Sequence, residues 1–340
     1  ERLVSARLYF CAEKEGFMMR KILSVVLLIF VLGFALSGCG AGKSDAADDG
    51  KLNVVATIFP EYDFARAISG GAANVSMLID PGAGVHSFEP APSDIKTIQK
   101  ADVFIFVGGE SDEWAVDLLD SIDTSAMKIV RLIDYVNVVP EELKEGMTPE
   151  EEEAAEGGEA AEGEEEYDEH VWVSPKNALL LIDAIRDAMC EADPANAELY
   201  SENGASYKAE LEAVDRDIAA VVSSAKRDKI VVADKFPFRY FVDDYGLEYA
   251  AAFPGCSDQA DAGAATIAYL INTVQNEDIP YVYYVELSNQ SVAESISEQT
   301  GAGMLLLNSC ENITKDDFES GITYVDLMKA NALNLEKGLN

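Results

Sequence analysis

Short β-branched apolar runs alternate with amphipathic stretches through the first half of the chain. Residues 52–57 (LNVVAT), 75–79 (VSMLI), 103–107 (VFIFV) and 129–132 have the length and composition of buried strands, and 61–69 and 92–100 have helical spacing between them. The same alternation returns after residue 227, with strands expected at 230–233, 281–285 and 304–307 and helices at 263–276, 291–300 and 324–339. Between the two blocks Asp193 and Pro194 supply an N-cap and a first-turn proline for a long helix over 193–226. Along it Tyr207, Leu211, Val214, Ile218, Val221 and Ala225 recur at steps of three and four, which gives one apolar stripe. The pattern predicts an α/β protein with mostly parallel sheets in two βα blocks joined by a helical strut. The expected boundaries are 51–192 for the N-terminal lobe, 193–226 for the linking helix and 227–340 for the C-terminal lobe.

Two segments break this pattern. Residues 140–169 are dominated by Glu, Ala and Gly without apolar periodicity, so they read as a mobile acidic loop. Near the start, Arg20 and Lys21 precede an apolar run over 22–36 that is short for a bilayer span, which reads as a signal peptide over 18–38. It ends in Leu36-Ser37-Gly38-Cys39, which resembles the lipobox of bacterial lipoproteins. That resemblance implies lipidation at Cys39, cleavage before it, and a chain anchored to the bacterial membrane from outside the cytoplasm. Residues 1–17 read as an upstream extension ahead of a start at Met18 or Met19, and 39–50 as a flexible tether.

Composition sharpens the picture. A net charge of −37 repels nucleic acid and raises the local concentration of cations, so nucleic-acid partners are excluded. With Cys11 upstream and Cys39 assigned to lipid, Cys190, Cys256 and Cys310 remain, none in a CxxC pair, so a zinc ribbon is excluded. Cys190 falls in a helical run. An exporting context and the turn-like settings FPGCSD and LNSCEN predict a disulfide between Cys256 and Cys310.

The chain has two histidines, His86 and His170. His86 lies in GAGVHSFEPAPSD between a strand and a helix, and His170 in YDEHVWVSPKNA where the acidic loop ends. A lone histidine is more often structural than ligating, but two at loop ends beside acids point to a metal. With ADVFIFVGGESDEW and DPANAELYSENGASYKAEL, these motifs resemble the substrate-binding proteins of bacterial zinc and manganese ABC importers, from Leu52 to the C-terminus.

The resemblance implies a metal site in the cleft between the lobes, a rigid linking helix, an ABC permease and its ATPase as partners, a monomer and no catalytic activity. It places His86 and His170 as ligands. The third position falls in VVADKFPFRYF, where Lys235 cannot ligate as an ammonium, so Asp234 is the expected donor. Asn308 and Glu286 are the further candidates near the last strands. Two imidazoles with carboxylate oxygen favour Zn2+, with Mn2+ as the alternative, and the long acidic loop is a feature of the zinc binders of this family. Two other classes remain. A surface adhesin has no supporting motif here, and a metallohydrolase would need a water-activating base that no HExxH-type motif supplies. Trp114 and Trp172 read as core or cleft-wall aromatics.

Overall fold

The computed structural model describes residues 50–147, 167–255 and 262–340. The expected signal peptide, Cys39, most of the expected tether, residues 148–166 of the acidic segment and Cys256 lie outside the described residues. Two four-stranded sheets form the frame. The first contains β1 (Asn53–Ala56), β2 (Asn74–Met77), β3 (Val103–Phe106) and β4 (Lys128–Arg131) in the order β2-β1-β3-β4. The second contains β5 (Lys229–Lys235), β6 (Glu248–Phe253), β7 (Tyr281–Tyr284) and β8 (Gly303–Leu306) in the order β6-β5-β7-β8. Every pairing is parallel, so the two lobes repeat one topology. The inner strands are covered on both faces, which is why they are continuous apolar runs rather than alternating ones.

The helices are α1 (Phe59–Ser69), α2 (Pro92–Ile98), α3 (Glu113–Ser121), α4 (Pro175–Ala192), α5 (Ala197–Ser224), α6 (Arg239–Tyr245), α7 (Ala264–Asn276), α8 (Ser291–Thr300), α9 (Lys315–Ser320) and α10 (Tyr324–Leu339). The linking helix starts later than the sequence suggests. Asp193 ends α4, its N–H reaching the Met189 carbonyl, while its carboxylate accepts from Asn196 Nδ2 at 2.6 Å and Tyr200 OH at 2.9 Å. That carboxylate ties the turn to the next helix instead of capping it, and α5 starts at Ala197.

At 1.5 Å per residue the 28 residues of α5 span about 42 Å. Tyr200, Tyr207, Leu211, Val214 and Ile218 are buried along its length, and α5 packs against α1 and α4 of the first lobe and α10 of the second. One hydrophobic cluster runs from Val54 and Phe64 through Tyr207 and Leu211 to Ile230, Met328 and Leu335, so the core is continuous across both lobes. Smaller clusters cover the far face of each sheet. A buried carboxylate fastens the junction: Asp63 of α1 accepts from Tyr207 OH at 2.6 Å, from the Tyr324 N–H at 2.8 Å and from Arg66. Among the described residues, no helix is long and apolar enough to cross a membrane.

Candidate metal centre

Loops leaving the carboxyl ends of parallel strands line a crevice where such folds hold ligands. His86 sits in the loop between β2 and α2. His170 immediately precedes a 3-10 turn, Val171–Val173, that leads into α4, whose start is fixed by Pro175 and by the Ser174 hydroxyl accepting from the Asn177 N–H at 3.1 Å. Glu311 follows β8. One atom from each of these three residues lies within 4.8 Å of the others.

The spacing suits a metal. His86 Nε2 is 2.9 Å and His170 Nε2 is 3.7 Å from Glu311 Oε1. A tetrahedral ion with bonds of about 2.0–2.1 Å needs donors roughly 3.3 Å apart, and the two observed spacings bracket that edge. All three atoms are buried and none makes a hydrogen bond of acceptable geometry, although the 2.9 Å approach is within ion-pair range. Buried polar atoms left in this way are costly unless something satisfies them, and a cation among the three would do so.

The opposite edge of each imidazole is held. His86 Nδ1 is 2.7 Å from Ser111 Oγ and 3.2 Å from Glu169 Oε1, and the Ser111 hydroxyl donates to the same carboxylate. Asp168 Oδ1 is 3.1 Å from His170 Nδ1 and also accepts the His170 backbone N–H at 2.9 Å. Carboxylates on Nδ1 keep the proton there and turn the Nε2 lone pair toward the metal position. Close packing leaves no slack: a Cβ on Gly109 would lie 1.9 Å from Glu169 Oε2, and one on Gly255 would lie 3.0 Å from His170 Cε1.

Electrostatics follow from this crowding. Burial alone would lower both histidines, but the Glu169 and Glu311 carboxylates raise His86, and Asp168 and Glu311 push His170 up to about 10. Burial would raise Glu169 and Glu311, yet the histidines outweigh it for Glu169, drawn down to about 2. Lys235 with the histidines does the same for Glu311, which is held well below the usual range. Without a metal the pocket therefore stores protons on its imidazoles.

The other expected donors are placed differently. Asp234 ends β5 with its carboxylate on the backbone N–H groups of Lys235 at 2.9 Å and Val285 at 3.1 Å. Asn308 exchanges hydrogen bonds with Asn331 of α10: its N–H donates at 2.7 Å and its carbonyl accepts at 2.8 Å. Glu286 is buried and accepts from the Ser309 N–H at 2.7 Å, the Ser309 hydroxyl at 2.5 Å and the Glu311 N–H at 3.2 Å. It shapes the turn that presents Glu311 rather than joining the three-atom group. Burial raises its pKa, opposed by the Ser309 contacts.

The last donor expected from the sequence is Asn308, and Glu311 lies three residues beyond it. Its signal was a carboxylate just past the last strand, in NSCEN, and what brings it inward is the left-handed turn at Cys310 (φ 62°). Cys310 itself is a free thiol packed into the core, and Cys256, its expected disulfide partner, lies outside the described residues. Asn312 then bridges to the other lobe, donating to the carbonyls of Asp80 at 3.1 Å and Ala83 at 2.9 Å at the base of the His86 loop. Trp172 is buried, its Nε1 donating to the Ser309 carbonyl at 2.9 Å. Trp114 packs edge-on against Phe88.

A family model described as zinc-uptake complex component A, periplasmic, matches residues 54–338. The zinc-binding lipoprotein AdcA of Streptococcus pneumoniae is 32% identical over 321 residues, which are 92% of this chain but 60% of that protein, so the chain spans well under two thirds of the relative's length. The high-affinity zinc uptake system protein ZnuA of Bacillus subtilis is 29% identical, over 93% of this chain and 97% of that one. The crystal structure of the Zn(II)-bound ZnuA-like domain of S. pneumoniae AdcA superposes with a TM-score of 0.69 at 31% identity, covering 85% of this chain and 99% of that domain.

Proposed function

The chain belongs to the family of the periplasmic zinc-uptake complex component A, and on that premise we propose that it captures zinc outside the cytoplasm and hands it to an ABC importer. The family consists of binding components of metal uptake systems and not of enzymes. The observation that carries the reading is the convergence of His86 Nε2, His170 Nε2 and Glu311 Oε1 as buried atoms without hydrogen-bond partners. Two imidazole nitrogens and one carboxylate oxygen suit zinc, whereas manganese favours more oxygen donors in octahedral array. The zinc bound by the similar AdcA domain and named for the B. subtilis protein supports the same choice.

Further parts of the reading rest on the sequence and on the family. Cleavage before Cys39 and its lipidation anchor the protein to the outer face of the cell membrane, a permease and its ATPase receive the ion, and the protein works as a monomer in two lobes bounded at about residues 192 and 227. A competition titration of zinc against manganese, with metal analysis of the purified protein, tests the function. Stoichiometric zinc binding that His86→Ala or His170→Ala weakens by orders of magnitude is expected. Unchanged affinity in both variants would refute the site.

A further inference from the structure

The feature of this site that a cation receptor does not need is a cation of its own. Lys235 ends β5, and its Nζ lies 3.0 Å from Glu311 Oε2, while the other oxygen of the same carboxylate faces the two histidines. Its side chain is 21% exposed and Glu311 is 9% exposed, so the pair is only lightly screened by water. Beside them lies a cavity of about 380 Å³ between the lobes, lined by His86, Lys235 and Glu311 together with Asp234 and the loop from Ser288 to Ser291. The space is far larger than an ion needs, and the lysine stands at its edge.

We propose that Lys235 is a tethered counter-ion of the metal site: its ammonium neutralises Glu311 in the metal-free protein, opposes the incoming cation, and moves into the adjoining cavity when the ion binds. The inference rests on the reading of His86, His170 and Glu311 as the donors. The exchange is a replacement of ion pairs, with no bond to the ammonium and no redox change. Oε1 of Glu311 faces the imidazoles, and the lysine partners the other oxygen, Oε2, until the cargo arrives. After capture, a positive charge a few ångströms from a divalent ion lowers its affinity, because charges at that range in a partly buried site interact strongly. Lys235 then sets affinity downward and favours release. The cavity gives the displaced side chain room.

Zinc affinity measured by chelator competition on Lys235→Met, Lys235→Gln and Lys235→Arg tests this. The two uncharged variants should bind zinc roughly 10- to 100-fold more tightly than the parent, and Lys235→Arg should stay within a few-fold of it. If Lys235→Met and Lys235→Gln bind equally or more weakly, the lysine serves only to orient Glu311 and the proposal is overturned. An arginine variant that tightens as much as the uncharged ones would overturn it too, by showing that size and not charge matters. Metal-free melting curves for each variant confirm that folded protein is compared. His170→Ala in the parent background separates the two levels of the argument: if it leaves binding intact, the donor assignment fails, whatever Lys235 does.

Discussion

Zinc binding at neutral pH should expel protons in a number that ordinary histidines cannot supply. An imidazole with a pKa near 6.5 is about 9% protonated at pH 7.5, so an unperturbed pair would release about 0.2 proton per zinc. Here Asp168 and Glu311 hold His170 at about 10, and Glu169 and Glu311 raise His86. At pH 7.5 His170 then carries essentially a full proton, and displacing it with part or all of that on His86 releases between about one and two. Titration calorimetry at one pH in buffers of different ionisation enthalpy reads that number from the slope of heat against buffer enthalpy. Apparent affinity should climb about tenfold per pH unit for each displaced proton, continuing upward toward pH 10 rather than levelling off near 7. A raised histidine pKa also stabilises the metal-free fold. That contribution is fully present below about pH 6.5 and is lost as pH rises through about 10. A release below about 0.3 proton at pH 7.5, with affinity flat above pH 7, would refute the electrostatic account of the pocket.

Glu311→Gln should weaken zinc binding by at least about tenfold while Asp234→Asn changes it little, since only Glu311 faces the imidazoles; the reverse order in a chelator competition would restore Asp234 as the donor. Glu169→Gln, which keeps size but weakens the hold on His86 Nδ1, should cost roughly 10- to 100-fold in zinc affinity and leave the melting temperature of the zinc-free protein nearly unchanged; a loss of folding without loss of affinity would contradict that role. Deleting residues 150–165 should leave tight binding intact while reducing weakly bound ions and slowing capture at low salt. The flanks are already joined by the bridge between Pro140 and Tyr167, so abolished tight binding would place a donor inside the deleted segment.

The fold was legible because its strands are buried on both faces and therefore announce themselves as apolar runs. Where that signal weakens, so did the reading: β6, with three consecutive alanines in EYAAAF, has little β propensity and is a strand because β5 lies beside it. The short helices α3, α6 and α9 likewise lack enough turns to show a period. Of the site, both histidines stood out by scarcity and by their motifs. The carboxylate did not, because spacing along a strand says nothing of a left-handed turn four residues past its end. Glu286 and Asp234 show the same limit from the other side: each sits at a strand end near the crevice, and each is occupied by backbone N–H groups that no pattern of residues reveals.

The unbroken core that runs along α5 also constrains how the protein can report its state. A wide swing of one lobe against the other would have to shear the packing of Tyr207, Leu211 and Met328 and pull Tyr207 and Tyr324 from Asp63. Loaded and empty molecules are then expected to share nearly the same silhouette. A receiver that distinguishes them is then expected to read the cavity walls, which the His86 loop and the Ser288–Ser291 loop both line, rather than a hinge.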